Sequence, residues 1–462
     1  MTGRHGSAPV EGDANHSEAR RAWVRDPEQV RDPEMVARDA GVFYHQVLSS
    51  PCLDGIVAAR GPWIERADGT RLLDMHGNSV HQIGHAHPAV VGAVRAQLDR
   101  LAFCPRRFTN EAAVELAERL VRLAPGELRD RARVLLAPSG AVAVGIALKI
   151  ARAVTGRVGT IAFEGAFHGA TIETGAVGGQ ELFTRGMGGS FGEPLHVPPP
   201  DPSSCEHGCG GDCSSACAGE IERILAAGKT AAVITEPIRA TVVRHMSNQF
   251  WARIRAACDR TGTLLIFDEI PTGLGRAGVM FSTELTGVTP DLVVLGKGLG
   301  GGAFPQAAVI GRAEFNHTGA VAVRELAIGH YTHEKSPVGA AAARATLDVI
   351  QAEGLVDRAE EIGTRWRDQL AERLLQTGVV REIRQTGLMV AVEISASCAA
   401  QVADHALYES LRRGLSYKIG GVRSLVLFPP LNIEQRLLDR ATTILDESIR
   451  CAARTLGVGH AG

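Results

Sequence analysis

Near-continuous apolar runs of strand length, at 158–163, 231–236, 263–268 and 291–296 with Val134-Leu135-Leu136-Ala137 before them, constrain this chain more than any other feature. Runs that are apolar at every position suit strands buried on both faces, and helix-like stretches separate several of them. The pattern predicts an α/β fold with a doubly wound, mostly parallel sheet. Pro138-Ser139-Gly140 reads as a turn, and 141–154 as a helix with Lys149 and Arg152 on a polar face. After Pro337 a long Ala-rich helix leads into helices and short strands, which with part of the N-terminal region would form a smaller α+β domain. The expected boundaries are an N-terminal arm over 1–39, the first part of the small domain over 40–90, the large domain over 91–338 with a Cys-rich insertion at 200–218, and the rest of the small domain over 339–462. A chain of 462 residues that is 45% hydrophobic can bury a core of that size.

Charge and hydropathy exclude several classes of partner. A net charge of −2 gives no electrostatic case for nucleic acid. No apolar run reaches membrane-spanning length, and the first forty residues are polar and lack the apolar core of a signal peptide, so a soluble cytoplasmic protein is expected. The segment from Met1 to Asp39 carries Arg-Asp-Pro-Glu twice, at 25–28 and 31–34. It reads as a flexible arm or a short helix on a partner subunit and receives no chemistry.

Lys297 is one of only five lysines, and it follows the last apolar run in Val293-Val294-Leu295-Gly296-Lys297-Gly298-Leu299-Gly300-Gly301-Gly302. An amine at the end of a buried strand, among glycines that let a flat cofactor approach the backbone, suits a Schiff base to a carbonyl. The run Thr263-Leu264-Leu265-Ile266-Phe267 ends in Asp268-Glu269. A buried carboxylate needs a cationic partner, and a protonated pyridine nitrogen would serve. Together the two point to pyridoxal phosphate (PLP).

Three segments then carry a resemblance to the class III (subgroup II) aminotransferase family of fold-type I PLP enzymes, over roughly 40–450. They are Gly84-His85-Ala86-His87-Pro88, the stretch Asp268-Glu269-Ile270 through Gly273-Leu274-Gly275-Arg276, and the Lys297 segment. The resemblance implies Lys297 as the Schiff-base lysine and proton carrier, and Asp268 as partner of the pyridinium. Ser139, Gly140 and Ala141 resemble the family's phosphate-binding turn, where N–H groups at a helix N-terminus suit an anion; Val142 stands where glutamate is usual. Phe167-His168-Gly169 resembles the aromatic-His-Gly segment, with Phe167 over the ring and His168 beside the cofactor. Thr332, in Tyr331-Thr332-His333-Glu334-Lys335-Ser336-Pro337, aligns with the threonine that reaches the phosphate of the neighbouring subunit, which implies a homodimer.

Departures from the family pattern bear on substrate. Val426 occupies the position, three residues before Pro429-Pro430-Leu431, where relatives that bind an α-carboxylate carry arginine; Arg423 is an uncertain substitute. Thr241 stands where some relatives have a gating glutamate, and Pro271 replaces the glutamine expected at the PLP phenolic oxygen. An ordinary α-amino acid becomes a poor expectation. The leading reading is transamination from an amine or ω-amino substrate to a keto or aldehyde acceptor. The departures, with His333 and Lys335, are also similar to a lyase branch that eliminates from aminophosphonates or phosphoethanolamine-like amines, of the (R)-1-hydroxy-2-aminoethylphosphonate ammonia-lyase type. There Arg106 and Arg107 would grip the anionic group. A non-catalytic protein of the same fold is the third reading, and it has no need of both Lys297 and Asp268.

Cys205, Cys209, Cys213 and Cys217 form a C-x3-C-x3-C-x3-C run after three prolines. Four thiols so placed could wrap a tetrahedral structural zinc, form disulfides or stay free; zinc leads, and a reducing cytoplasm argues against disulfides.

Overall fold

The computed structural model describes residues 17–50, 52–187, 192–201, 216–395 and 397–458. These fall into two compact units, one drawn from 87–240 and 244–357 and the other from 1–86, 241–243 and 358–462.

The larger unit is built on a seven-stranded sheet. In spatial order its strands are Ala132–Ala137, Ala307–Arg312, Leu292–Leu295, Leu264–Asp268, Thr230–Thr235, Gly159–Phe163 and Leu195–Val197. All run in one direction except Ala307–Arg312, which is antiparallel to both its neighbours. Four strands expected from the apolar runs coincide with observed ones to within a residue at each end. Two were not anticipated. Leu195–Val197 is a three-residue edge strand, and Ala307–Arg312 reads Ala-Ala-Val-Ile-Gly-Arg, too rich in small residues to stand out.

Alternation along each strand sorts the core into two layers. Ala232, Ile234, Leu264, Ile266, Leu292 and Val294 pack beneath the helix Gly140–Thr155. Ile161, Phe163, Val233, Leu265 and Phe267 pack on the opposite side with residues of the helices Ala216–Leu225 and Asn248–Thr261. The result is a three-layer α/β/α arrangement, which satisfies strands that are apolar on both faces. Phe267 is fully buried, its ring 5.0 Å from that of Trp251 in an edge-to-face contact.

The helix Pro337–Ala352 also belongs to this unit, packing on Pro88–Arg100 and Glu111–Leu123. The unit therefore extends to Asp357, beyond the boundary expected at 338, because the Ala-rich face of this helix lets neighbouring helices approach closely.

The smaller unit holds two four-stranded sheets, in the orders Ile56–Arg60, Trp63–Arg66, Arg71–Asp74, Leu415–Ser416 and Val380–Thr386, Met389–Ile394, Ser424–Leu427, Lys418–Gly420. Its long C-terminal helix Gln435–Thr455 is pinned by Trp366, whose indole N–H donates to the Thr442 hydroxyl at 3.0 Å. The described part of the N-terminal segment departs from the free arm expected. Trp23, on the helix Glu18–Arg25, is fully buried beside Tyr408, with ring centroids 5.7 Å apart and the guanidinium groups of Arg66 and Arg412 over its ring. An apolar anchor held by two cations docks this helix within its own unit. No helix among the described residues is long and apolar enough to cross a membrane.

The strand that ends in Asp268 relies on Phe267 for its grip on the second layer. Phe267→Ala should lower unfolding stability by about 3–5 kcal/mol, read as a shift of the urea midpoint at unchanged slope. A midpoint equal to that of the parent chain would contradict this role.

Candidate active site

Parallel strands bring their carboxyl ends to one edge of the sheet, and the segments of Ser139, Phe167, Asp268 and Lys297 gather there, as doubly wound folds dictate. The Ala132–Ala137 strand leads into Ser139, the N-cap of Gly140–Thr155, whose hydroxyl accepts from Val142 N–H at 3.3 Å. The Leu264–Asp268 strand delivers Asp268, and the Leu292–Leu295 strand delivers Gly296 and Lys297.

Glycines let these segments close on one another. A Cβ on Gly140 would come within 2.8 Å of Ile270 Cδ1, and one on Gly296 within 3.3 Å of Ile270 and 3.5 Å of Gly140 Cα. Gly169 sits at φ +123°, and a Cβ there would lie 2.6 Å from that of Ala141. The phosphate-side turn, the Asp268 strand end, the Lys297 segment and the Phe167-His168-Gly169 segment are thus one cluster. Lys297 is half-buried and non-glycine at φ 42°, a backbone state costing about 1–2 kcal/mol for a residue with a Cβ. Strain of that kind concentrates where a side chain must be aimed.

Asp268 is 2% exposed. Its Oδ2 accepts from His168 Nδ1 at 2.7 Å and its Oδ1 from the Ile270 amide at 3.0 Å. The far ring nitrogen of His168, Nε2, is buried with no hydrogen-bond partner among the described residues. Glu236 follows the neighbouring strand and is 6% exposed. Burial, and then the charge of Asp268, push its carboxyl up to about 7, against pulls from His168, Lys297 and Arg239. Glu269 is also raised to about 7 by burial, but the Ser282 and Thr283 donors oppose that shift. Its oxygens accept from Ser282 N–H at 2.6 Å and Thr283 N–H at 2.7 Å, which ties down the turn after the strand. Arg276, in the same turn, is fully buried, and desolvation lowers it to about 9.

These features fit PLP. A carboxylate oxygen has two lone pairs, so Asp268 keeps capacity for a pyridinium after its two present bonds. Gly140 and Gly296 let the helix N-terminus and the lysine segment close on Ile270, and that N-terminus suits a phosphate. Ile270, unmarked in sequence as a site residue, supplies the apolar wall beside both cradle glycines. Phe167 is 39% exposed with its ring 5.0 Å from that of Phe183, and Pro271 is buried and offers no donor.

Other expected residues sit differently. Arg106 Nη1 donates to His330 Nε2 at 2.7 Å and its Nε lies 3.3 Å from Glu334 Oε1, so its charge is already matched. Arg107, Thr332, His333 and Lys335 are exposed; His333 packs edge-on to Phe103 at 5.4 Å, and the side chains of Arg107 and Lys335 make no ion pair among the described residues. Cys205, Cys209 and Cys213 lie outside the described residues, whereas Cys217 is buried in the apolar layer under Ala216–Leu225.

Within the smaller unit, Arg423 is bound to buried Glu393 at 2.9 Å, and Arg381 and Arg384 contact the same carboxylate. Arg423 is therefore already engaged. Gly420 stands between the two substrate-related departures: a Cβ there would be 1.8 Å from Thr241 O and 2.6 Å from Val426 Cγ2. Thr241 and Val426 are neighbours across one glycine.

The class III aminotransferase model matches residues 46–449. The chain is 37% identical over 460 residues, 95% of its length and 94% of the relative, to (R)-1-hydroxy-2-aminoethylphosphonate ammonia-lyase of Vibrio splendidus. It is 35% identical to 5-aminovalerate aminotransferase of Pseudomonas aeruginosa, covering 83% of this chain and 92% of that one. Among solved structures it resembles an amine transaminase from an uncultivated Pseudomonas species in its PLP-bound form, at TM-score 0.82 and 29% identity, over 89% of this chain and 99% of the other. The strand order, the converging motifs and these similarities agree that the chain belongs to the class III aminotransferase family, PLP-dependent enzymes of fold type I.

Proposed function

We propose that the protein acts on the amino group of an amine that carries no α-carboxylate beside its nitrogen. The observation that carries this reading is the joint replacement at Thr241 and Val426, which flank Gly420. Where relatives that hold an α-carboxylate have an arginine fork and a gating carboxylate, this chain has a hydroxyl and an isopropyl group. Neither can hold a carboxylate bidentately.

PLP, when bound, draws off the electron pair left on a substrate carbon that loses a proton. Lys297 takes that proton and returns it, Asp268 holds the positive charge of the pyridinium, and Phe167 covers the ring from solvent. Ser139, Gly140 and Ala141 donate to the phosphate, with Thr332 of the partner subunit completing its shell in a homodimer. His168 fixes the orientation of Asp268 through the 2.7 Å contact. Transfer of the amino group to a keto or aldehyde acceptor is the first reading, since it is the prevailing activity among the relatives.

A specific observation favours elimination as the second. The similarity to the ammonia-lyase relative spans 95% of the chain at 37% identity, against 83% at 35% for the 5-aminovalerate aminotransferase. On a β-hydroxy aminophosphonate the same proton removal by Lys297 would be followed by departure of the neighbouring hydroxyl, and hydrolysis would release ammonia and an aldehyde. Arg107 and Lys335 then become the better anion contacts, because Arg106 is already matched by Glu334. Zinc at Cys205, Cys209, Cys213 and Cys217 rests on spacing alone, and the apolar surroundings of Cys217 lend it no support.

Lys297→Ala should leave a folded protein without the visible band of bound PLP and with turnover reduced by orders of magnitude; a variant with the parent band would refute the assignment. Product formed without any acceptor separates the two reactions. Many turnovers on a hydroxy-aminophosphonate mean elimination, whereas a halt near one equivalent with the cofactor left as pyridoxamine means transamination, and efficient use of alanine or glutamate as main substrate would defeat the inference from Thr241 and Val426. Thr332→Ala should weaken PLP binding by about 1.5–3 kcal/mol, the worth of a hydrogen bond to a charged group. Equilibrium titration of the dimer reads this directly, and unchanged affinity would remove Thr332 from the phosphate shell.

A further inference from the structure

Two carboxylates are buried side by side at the ends of adjacent parallel strands, and the chemistry above uses only one. Register pairs Thr235 with Phe267, and Glu236 and Asp268 are the residues that follow this last pair, Glu236 just past the end of its strand. Neighbouring strands lie about 4.8 Å apart. Asp268 alternates with Phe267 and so shares the face of Ile266, which the helix Gly140–Thr155 covers. Asp268, His168, Lys297 and Arg239 all act on Glu236 through their charge.

The His168 and Ile270 donors meet Asp268. Two buried like charges this near cannot both be ionised cheaply, and burial together with the charge of Asp268 favours the uncharged form of Glu236. We propose that Glu236 is a positioning residue of the cofactor site, held as an uncharged carboxyl that keeps a second negative charge away from Asp268 and adds that charge when it ionises. This rests on the PLP reading of the site. The consequence is a built-in pH response: in the ionised state the pyridinium and the lysine amine face two anions in place of one, and both hold their protons more tightly.

The raised carboxyl supports the same picture through stability. Its ordinary value is 4.5 and its folded value about 7, so the folded chain binds the proton more tightly. Stability attached to this group is therefore present below the ordinary value, declines as pH rises, and is lost once pH passes the folded value.

The test uses the PLP-loaded dimer, wild type and Glu236→Gln, titrated from about pH 6 to about pH 8 while the visible absorption of bound PLP and the thermal midpoint are followed. The expected result is a spectral step near neutral pH in the wild type that is lost in the glutamine variant, together with a thermal midpoint for the variant that gains on the wild type as pH rises. Glu269, the other carboxyl raised to about 7, is present in both proteins, so a step lost in the variant belongs to Glu236. Should the glutamine variant fold poorly, Glu236→Leu, which is also uncharged, takes its place. The same spectral step in wild type and variant, with a constant difference in thermal midpoint, overturns the proposal. A wild type that shows no visible band with added PLP overturns the cofactor reading itself, a different and distinguishable failure.

Discussion

The contact between Asp268 and His168 is the interaction on which the rest of the site depends. A carboxylate taken out of water costs several kcal/mol unless donors meet it, and here a ring N–H at 2.7 Å and a backbone amide at 3.0 Å do so. Those donors come from different segments, so the bond requires the sheet register, the Gly169 turn and the Asp268 strand end all to be in place. Phe267 anchors that strand from one side of the sheet, and the helix Gly140–Thr155 covers the other. The glycines at 140, 169 and 296 then allow contacts that any Cβ would block.

The proposed specificity rests on what is missing. In the smaller unit, Gly420 accommodates Thr241 and Val426 at distances that leave no room for a side chain of its own. The nearby cation Arg423 is held by Glu393, which Arg381 and Arg384 also contact, so it is occupied by a structural ion cluster. Arg106 is likewise held by Glu334 and His330. Cations that a sequence offers for substrate recognition are available only when no carboxylate of the same chain has claimed them; Arg107 and Lys335 are exposed and make no ion pair among the described residues.

Much of this was legible in the sequence. The central strands appear as apolar runs because burial on both faces removes alternation, and Lys297 and Asp268 stand out because charge at the end of such a run is costly without a purpose. What escaped depended on distant partners. Ala307–Arg312 is a strand because its neighbours supply the ladder, not because its small residues favour one. Trp23 is an anchor only because Tyr408 and Arg412 fold back onto it. Glu236 ended an apolar run just as Asp268 did, and that shared pattern was the available signal; adjacency of the two strands, which makes it matter, is a property of topology alone. The engagement of Arg106 by Glu334 joins positions more than two hundred residues apart, which no local pattern reveals.

The central claim is that one lysine at the end of the Leu292–Leu295 strand carries PLP, and the chain's five lysines make it directly testable. Borohydride reduction of the PLP-loaded protein, followed by peptide mapping, fixes the cofactor to whichever lysine holds it. The account predicts the label on Lys297. Label on Lys149, Lys229, Lys335 or Lys418, or on no lysine at all, would contradict it.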